Sequence, residues 1–140
     1  MGAWDATSFG NDTANDWAYG LEKSHDLSYI DSTLQRILDA GDDYIEGPDA
    51  EEAIAAAEVL AWLLGRPTPV NAYTRKVAEW VAAHPIRPTA ALIEKALAAL
   101  DRIKGESSEL PELWKDSASS AGWAASMSDL RARLTTLPAS

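Results

Sequence analysis

Apolar residues along this chain recur every three or four positions rather than every second one, the spacing of helices buried on one face and not of strands. In the first such stretch Ala14, Trp17, Ala18 and Leu21 fall together, and Asn11 or Asp12 stands where a side-chain oxygen can accept from the free N–H groups of a first turn. That helix is expected to end near Ser24. Leu27, Ile30, Leu34, Ile37 and Leu38 form a second stripe, which stops at Gly41, where a left-handed cap suits glycine. The third helix is framed by Gly47-Pro48 at its start and Gly65 just past its end. Between them the run from Ala53 to Leu64 is apolar almost all round, interrupted by Glu58, so this helix is expected at the centre.

Thr68-Pro69 predicts the opening of a fourth helix, with Tyr73, Val77, Trp80 and Val81 facing inward until Pro85 stops it. Pro88 or Thr89 opens a fifth, which puts Ile93, Ala96, Leu97 and Leu100 on one side and ends at Gly105, after Lys104 at the negative end of the helix dipole. Ser107-Ser108 can cap a short sixth helix containing Leu110, Leu113 and Trp114, with Pro111 in its first turn. Trp123, Met127, Leu130, Leu134 and Leu137 then mark a last helix, with Asp129 and Arg133 paired at i, i+4 on its outer side. The expectation is an all-α fold, a single compact bundle of about six helices over residues 11–140, with residues 1–10 as an irregular arm packed on it. The connections are short, so sequence neighbours should pack mostly antiparallel.

With 140 residues, 46% of them apolar, the chain can bury its own core without a metal or a disulfide. It has no cysteine, which removes disulfides, thiol nucleophiles and thiolate zinc sites and suits a reducing compartment. The opening Met1-Gly2-Ala3-Trp4-Asp5 lacks the basic segment and apolar run of a signal peptide, and Ala6 stands where N-myristoylation needs Ser or Thr. The apolar run from Ala53 to Leu64 is well short of the ~20 residues that cross a bilayer. A cytoplasmic protein with no membrane segment is therefore expected.

Charge changes the picture more. The net charge is −10, and it is unevenly placed: residues 1–65 carry 14 acidic side chains against Lys23 and Arg36, whereas residues 66–140 carry 8 acidic and 10 basic ones. No basic stripe offers a phosphate footprint, so nucleic acid is not an expected partner. An acidic half can instead steer a basic protein toward it. Asp39, Asp42, Asp43, Glu46 and Asp49, around the turn between the second and third helices, form that candidate surface; a plain solvated face or a cation site are the alternatives for the same residues.

A second cluster lies near the start. Trp4 and Phe9 sit in a segment without helical period, followed by Asn11, Asp12, Asp16 and Trp17. Read structurally, the aromatics staple the arm to the bundle. Read functionally, Trp4, Asn11, Asp12, Asp16 and Trp17, joined by Glu58, line a pocket for a cation, an amine or a peptide. Glu58, if buried, must be hydrogen-bonded or paired, with N–H groups of the arm or with a base such as Arg36, or else work with Asp12 or Asp16 as a carboxylate pair. His25 and His84 both fall at predicted helix ends, where capping is the default role. There is no phosphate loop, nucleophile elbow, His-Glu-x-x-His or Glu-x-x-His pattern, so no catalytic residue, metal or cofactor is assigned.

Met1-Gly2-Ala3-Trp4, Phe9, Asn11-Asp12, Ala14 and Asp16-Trp17 resemble the start of the bacterial proteins grouped as domain of unknown function 4259. The run Asp49 to Glu58 and the ending Asp129 to Leu134 are similar to that family's middle and C-terminal patterns; the family often has glycine where this chain has Asp5 and Thr7. The resemblance implies a small soluble bacterial domain and brings no established activity. The residues themselves favour a non-catalytic interaction protein, of immunity or inhibitor type, that binds a basic protein through its acidic half. A ligand or cation binder, or an enzyme, with its site at the N-terminal cluster is the competing reading.

Overall fold

The computed structural model describes residues 12–66, 74–111 and 120–135. Six helices run through them: α1 (Asp12–Glu22), α2 (Ser28–Asp39), α3 (Gly47–Leu63), α4 (Arg75–Ala83), α5 (Ala90–Lys104) and α6 (Ser120–Thr135). Residues 109–111 add a helical turn, and no strand occurs among the described residues; Ile45 and Ser108 form an isolated bridge. The all-α expectation holds.

Helix α3 is central because its own side chains are small. Ala50, Ala53, Ala55, Ala56, Ala57 and Ala61 are fully buried, so neighbours approach closely on every side, and α3 packs against each of the other five helices. Its end follows the glycine signal. Gly65 adopts φ +82°, Arg66 N–H donates to the Ala61 carbonyl and Gly65 N–H to that of Trp62, a Schellman closure. Its start is capped from far away, by the Glu109 carboxylate, which accepts from Gly47 N–H at 2.6 Å.

The expected faces of α1 and α2 are the buried ones. Ala14, Trp17, Ala18 and Leu21 are buried in one core with Ile30, Leu34 and Ile37, and Gly41 (φ +56°) ends α2 in a left-handed turn. Trp17 Nε1 donates to Thr33 Oγ1 at 2.9 Å, Tyr29 Oη donates to the Trp17 carbonyl at 2.8 Å, and the two rings stack. Tyr29 crosses α1 at Gly20, where a Cβ would lie 2.3 Å from its hydroxyl.

In α5, Thr89 Oγ1 accepts from Leu92 N–H, and Ile93, Ala96 and Leu100 are buried as the stripe requires. Gly105 is extended, and the left-handed position beyond it is taken by Ser107 (φ +55°) rather than by glycine. Helix α4 begins at Arg75, later than Thr68-Pro69, which lies with Tyr73 outside the described residues. Its Val77 and Trp80 are buried, and His84 is its C-cap, with Nδ1 3.0 Å from the Trp80 carbonyl. In α6, Met127, Leu130 and Leu134 reach the core, while Leu113, Trp114 and Leu137 lie outside the described residues.

Candidate functional site

The turn between α2 and α3 carries its carboxylates outward for a physical reason. Arg102, in the last turn of α5, directs its guanidinium at backbone oxygens: Nε donates to the Gly41 carbonyl at 2.9 Å, Nη2 to that of Asp43 at 2.5 Å and Nη1 to that of Glu106 at 2.8 Å. Ile45 N–H donates to the Ser107 carbonyl and Glu109 N–H to the Ile45 carbonyl, so the α2–α3 turn and the segment after α5 are laced together. The cation that holds the turn thus binds its peptide groups and leaves its acids alone. Asp42, Asp43 and Glu46 are exposed, and no cation among the described residues pairs with them. Asp39 is exposed too and accepts from Gln35 Nε2 at 2.8 Å. Asp49 differs: it stands 3.9 Å from Arg36, whose guanidinium is closer to Glu52 at 2.7 Å.

The structure adds two residues to this face. Glu106 is exposed in the laced segment, and Tyr44, half exposed, stands between Asp43 and Glu46. Their place depends on Arg102 joining two loops about 60 residues apart, which periodicity does not report.

The N-terminal cluster is placed in part. Trp4 and Asn11 lie outside the described residues, as does the side chain of Asp12, the first residue of α1. Asp16 is exposed on α1, and Trp17 is buried with its indole N–H given to Thr33. Glu58 is buried as expected, and the base that pairs with it is Arg133 of α6, not Arg36; the arm, the other expected source of partners, lies outside the described residues. Arg133 Nη2 donates to Glu58 Oε1 at 2.9 Å and Nη1 to Oε2. The same guanidinium donates to Asp129 at 2.8 Å and to the Arg66 carbonyl at 3.0 Å, while Arg66 donates to the Arg133 carbonyl at 2.9 Å. Arg133 is therefore turned inward, not onto the outer side of its helix. Burial alone would lower the pKa of this guanidinium, but the hydrogen bond and charge of Glu58, with Asp129, hold it above its ordinary value.

Over residues 2–126 the sequence matches the protein family described as domain of unknown function (DUF4259). The chain belongs to that family. No curated protein and no solved structure is detectably similar to it. In this DUF4259 protein the match stops short of Asp129 to Leu134, so Glu58 lies within the matched span and its partner Arg133 beyond it.

The DUF4259 chain also has an open groove of about 540 Å³ along α2 and α5, lined by Asp31, Ser32, Gln35, Arg36, Asp39 and Lys95. Its charged groups are satisfied internally: Lys95 bonds Asp31, Arg36 bonds Glu52 and Gln35 bonds Asp39. Lys76 with Glu22 and Arg131 with Asp101 are further cross-helix pairs. Cations from the second half of the chain thus pair with Glu22, Asp31 and Glu58, while the one at the α2–α3 turn, Arg102, bonds carbonyls and is outnumbered by the exposed carboxylates there.

Proposed function

We propose that this protein is a non-catalytic interaction module of the bacterial cytoplasm, of immunity or inhibitor type, that docks a basic protein on the face formed by Asp39, Asp42, Asp43, Glu46 and Asp49. The observation that carries this reading is the Arg102 clamp: one guanidinium bonds the turn's carbonyls, while the more numerous exposed carboxylates Asp42, Asp43 and Glu46 pair with no cation among the described residues, so the turn presents net negative charge in a fixed pattern. Such a pattern steers encounter, and its effect falls as salt screens it, with a Debye length of about 10 Å at 0.1 M. Asp49 contributes less than the others, because Arg36 shares its charge.

The test starts with capture of a partner from the cell extract at low and high salt, followed by association rates of the identified partner. Replacing Asp39, Asp42, Asp43 and Glu46 with Asn or Gln is expected to slow association and flatten its salt dependence, with dissociation changed less. A partner whose on-rate ignores both salt and these substitutions refutes the proposal. Asp101 offers the contrast: it is acidic and exposed but paired with Arg131, and Asp101→Asn should change the rate far less than the turn substitutions do.

A further inference from the structure

The chain has two histidines and no cysteine, and the fold brings the two together from positions 59 apart. His25 lies exposed in the loop after α1; His84 closes α4; their ring centroids are 5.9 Å apart, the planes inclined at 46°. His84 is fixed from several directions. Its backbone N–H donates to the Trp80 carbonyl at 2.9 Å, its ring stacks on the Trp80 indole at 4.7 Å, and its Nδ1 lies 3.0 Å from that same carbonyl. A carbonyl only accepts, so Nδ1 carries the proton and Nε2 of the neutral ring keeps its lone pair. Trp80 in turn donates its indole N–H to the carbonyl of Ser24, the residue before His25, at 3.0 Å. The helix end bearing one imidazole is thus bonded to the loop bearing the other.

We propose that His25 and His84 together bind one borderline transition-metal ion, Cu²⁺, Ni²⁺ or Zn²⁺, each through a ring nitrogen, with water completing the coordination. An ion about 2.1 Å from an imidazole nitrogen sits about 3.2 Å from the ring centre, so two rings sharing it have centroids about 4.5 Å apart at a right angle and about 6.4 Å when collinear. The observed 5.9 Å falls inside that interval. The Nδ1–H bond of His84 to a backbone carbonyl is the outer-sphere contact that metal-binding histidines carry, fixing the tautomer and orienting the ring. Imidazole donors select these ions over Mg²⁺ and Ca²⁺, which take oxygen ligands. Asp26, whose Oδ1 accepts from Ser28 N–H at 2.9 Å and Oγ at 2.6 Å, is not counted as a third ligand, because no group of three or more His, Asp or Glu converges among the described residues. The bound ion ties the α1–α2 loop to the end of α4.

The untagged full chain would be titrated with Cu²⁺, Ni²⁺ and Zn²⁺ by calorimetry, with the Cu²⁺ form examined by electron paramagnetic resonance. Expected are one saturable ion per chain, Cu²⁺ tightest, and hyperfine coupling to two imidazole nitrogens. His25→Ala, at an exposed position, should weaken binding by at least the ~10-fold that even an outer-sphere partner is worth, and leave one coupled nitrogen. His84→Ala should do the same; because His84 also closes α4, the His25 variant decides the matter if the other fails to fold. Binding that does not saturate at one ion, or a His25→Ala protein with unchanged affinity, overturns the proposal.

Discussion

Replacing Arg133 with Met tests the inward turn of α6 most directly. The Glu58 side chain is 1% exposed and that of Arg133 15%, so the substitution leaves a carboxylate in the core without its guanidinium. Removing one member of such a pair costs about 3–5 kcal/mol, against ~0–1 kcal/mol for an exposed pair. For a chain of this size each kcal/mol moves Tm by about 3–5 °C, so a fall of roughly 10–20 °C is expected. The reverse change is milder. In Glu58→Gln the amide still accepts from Arg133, which keeps Asp129 at 2.8 Å and an edge toward solvent, so about 1–2 kcal/mol is lost. Glu58→Met combined with Arg133→Met removes both charges and should recover most of the loss of Arg133→Met alone. Urea unfolding followed by circular dichroism measures all three. A loss below about 1 kcal/mol for Arg133→Met would refute the reasoning, since it would make the pair equivalent to one at the surface.

Gly20→Ala should destabilise by about 1–3 kcal/mol, because the new Cβ would meet Tyr29 Oη at 2.3 Å and break its bond to the Trp17 carbonyl; Tyr29→Phe in that background should recover part of the loss in the same unfolding assay. Ser107→Gly relieves a left-handed residue at φ +55° and is expected to raise stability by about 0.5 kcal/mol, checked by Tm. Asp101 is held below the usual carboxylate range chiefly by its hydrogen bond from Arg131, and Asp26 by the side-chain and backbone bonds from Ser28. The unfolded chain therefore binds more protons at these sites, so their contribution is complete above the unfolded pKa of about 3.9 and lost as pH falls through the lower folded values. Asp101→Asn should give a shallower fall of stability below about pH 4 than the parent protein.

What was legible in the sequence is what neighbouring residues decide. Gly41 and Gly65 mark helix ends because only glycine takes a left-handed turn without strain, Thr89 caps α5 through a bond three residues away, and Glu58 stands out because a carboxylate inside an apolar run needs a partner. Which partner is another matter. Arg133 is 75 positions away, Glu109 caps α3 from 62 positions away, and Arg102 reaches carbonyls rather than any side chain whose type could betray the contact. Periodicity places a residue on a face, whereas the angle between helices decides what it meets there; that is why Asp129–Arg133 read as an outer pair and became part of an inner one. The acidic turn itself was visible from charge alone, but that the cation there, Arg102, bonds carbonyls and pairs with none of Asp42, Asp43 and Glu46 could be seen only once that cation was placed.

The alanine surface of α3 also bears on how the chain opens. Because every other described helix rests on α3, no small fluctuation bares its amides, and their exchange with solvent must await loss of the whole arrangement. Deuterium uptake by Ala55, Ala56 and Ala57 would therefore report global stability, whereas α6, anchored by Met127, Leu130 and Leu134 and a few ionic contacts, can open first and exchange by a separate, faster route.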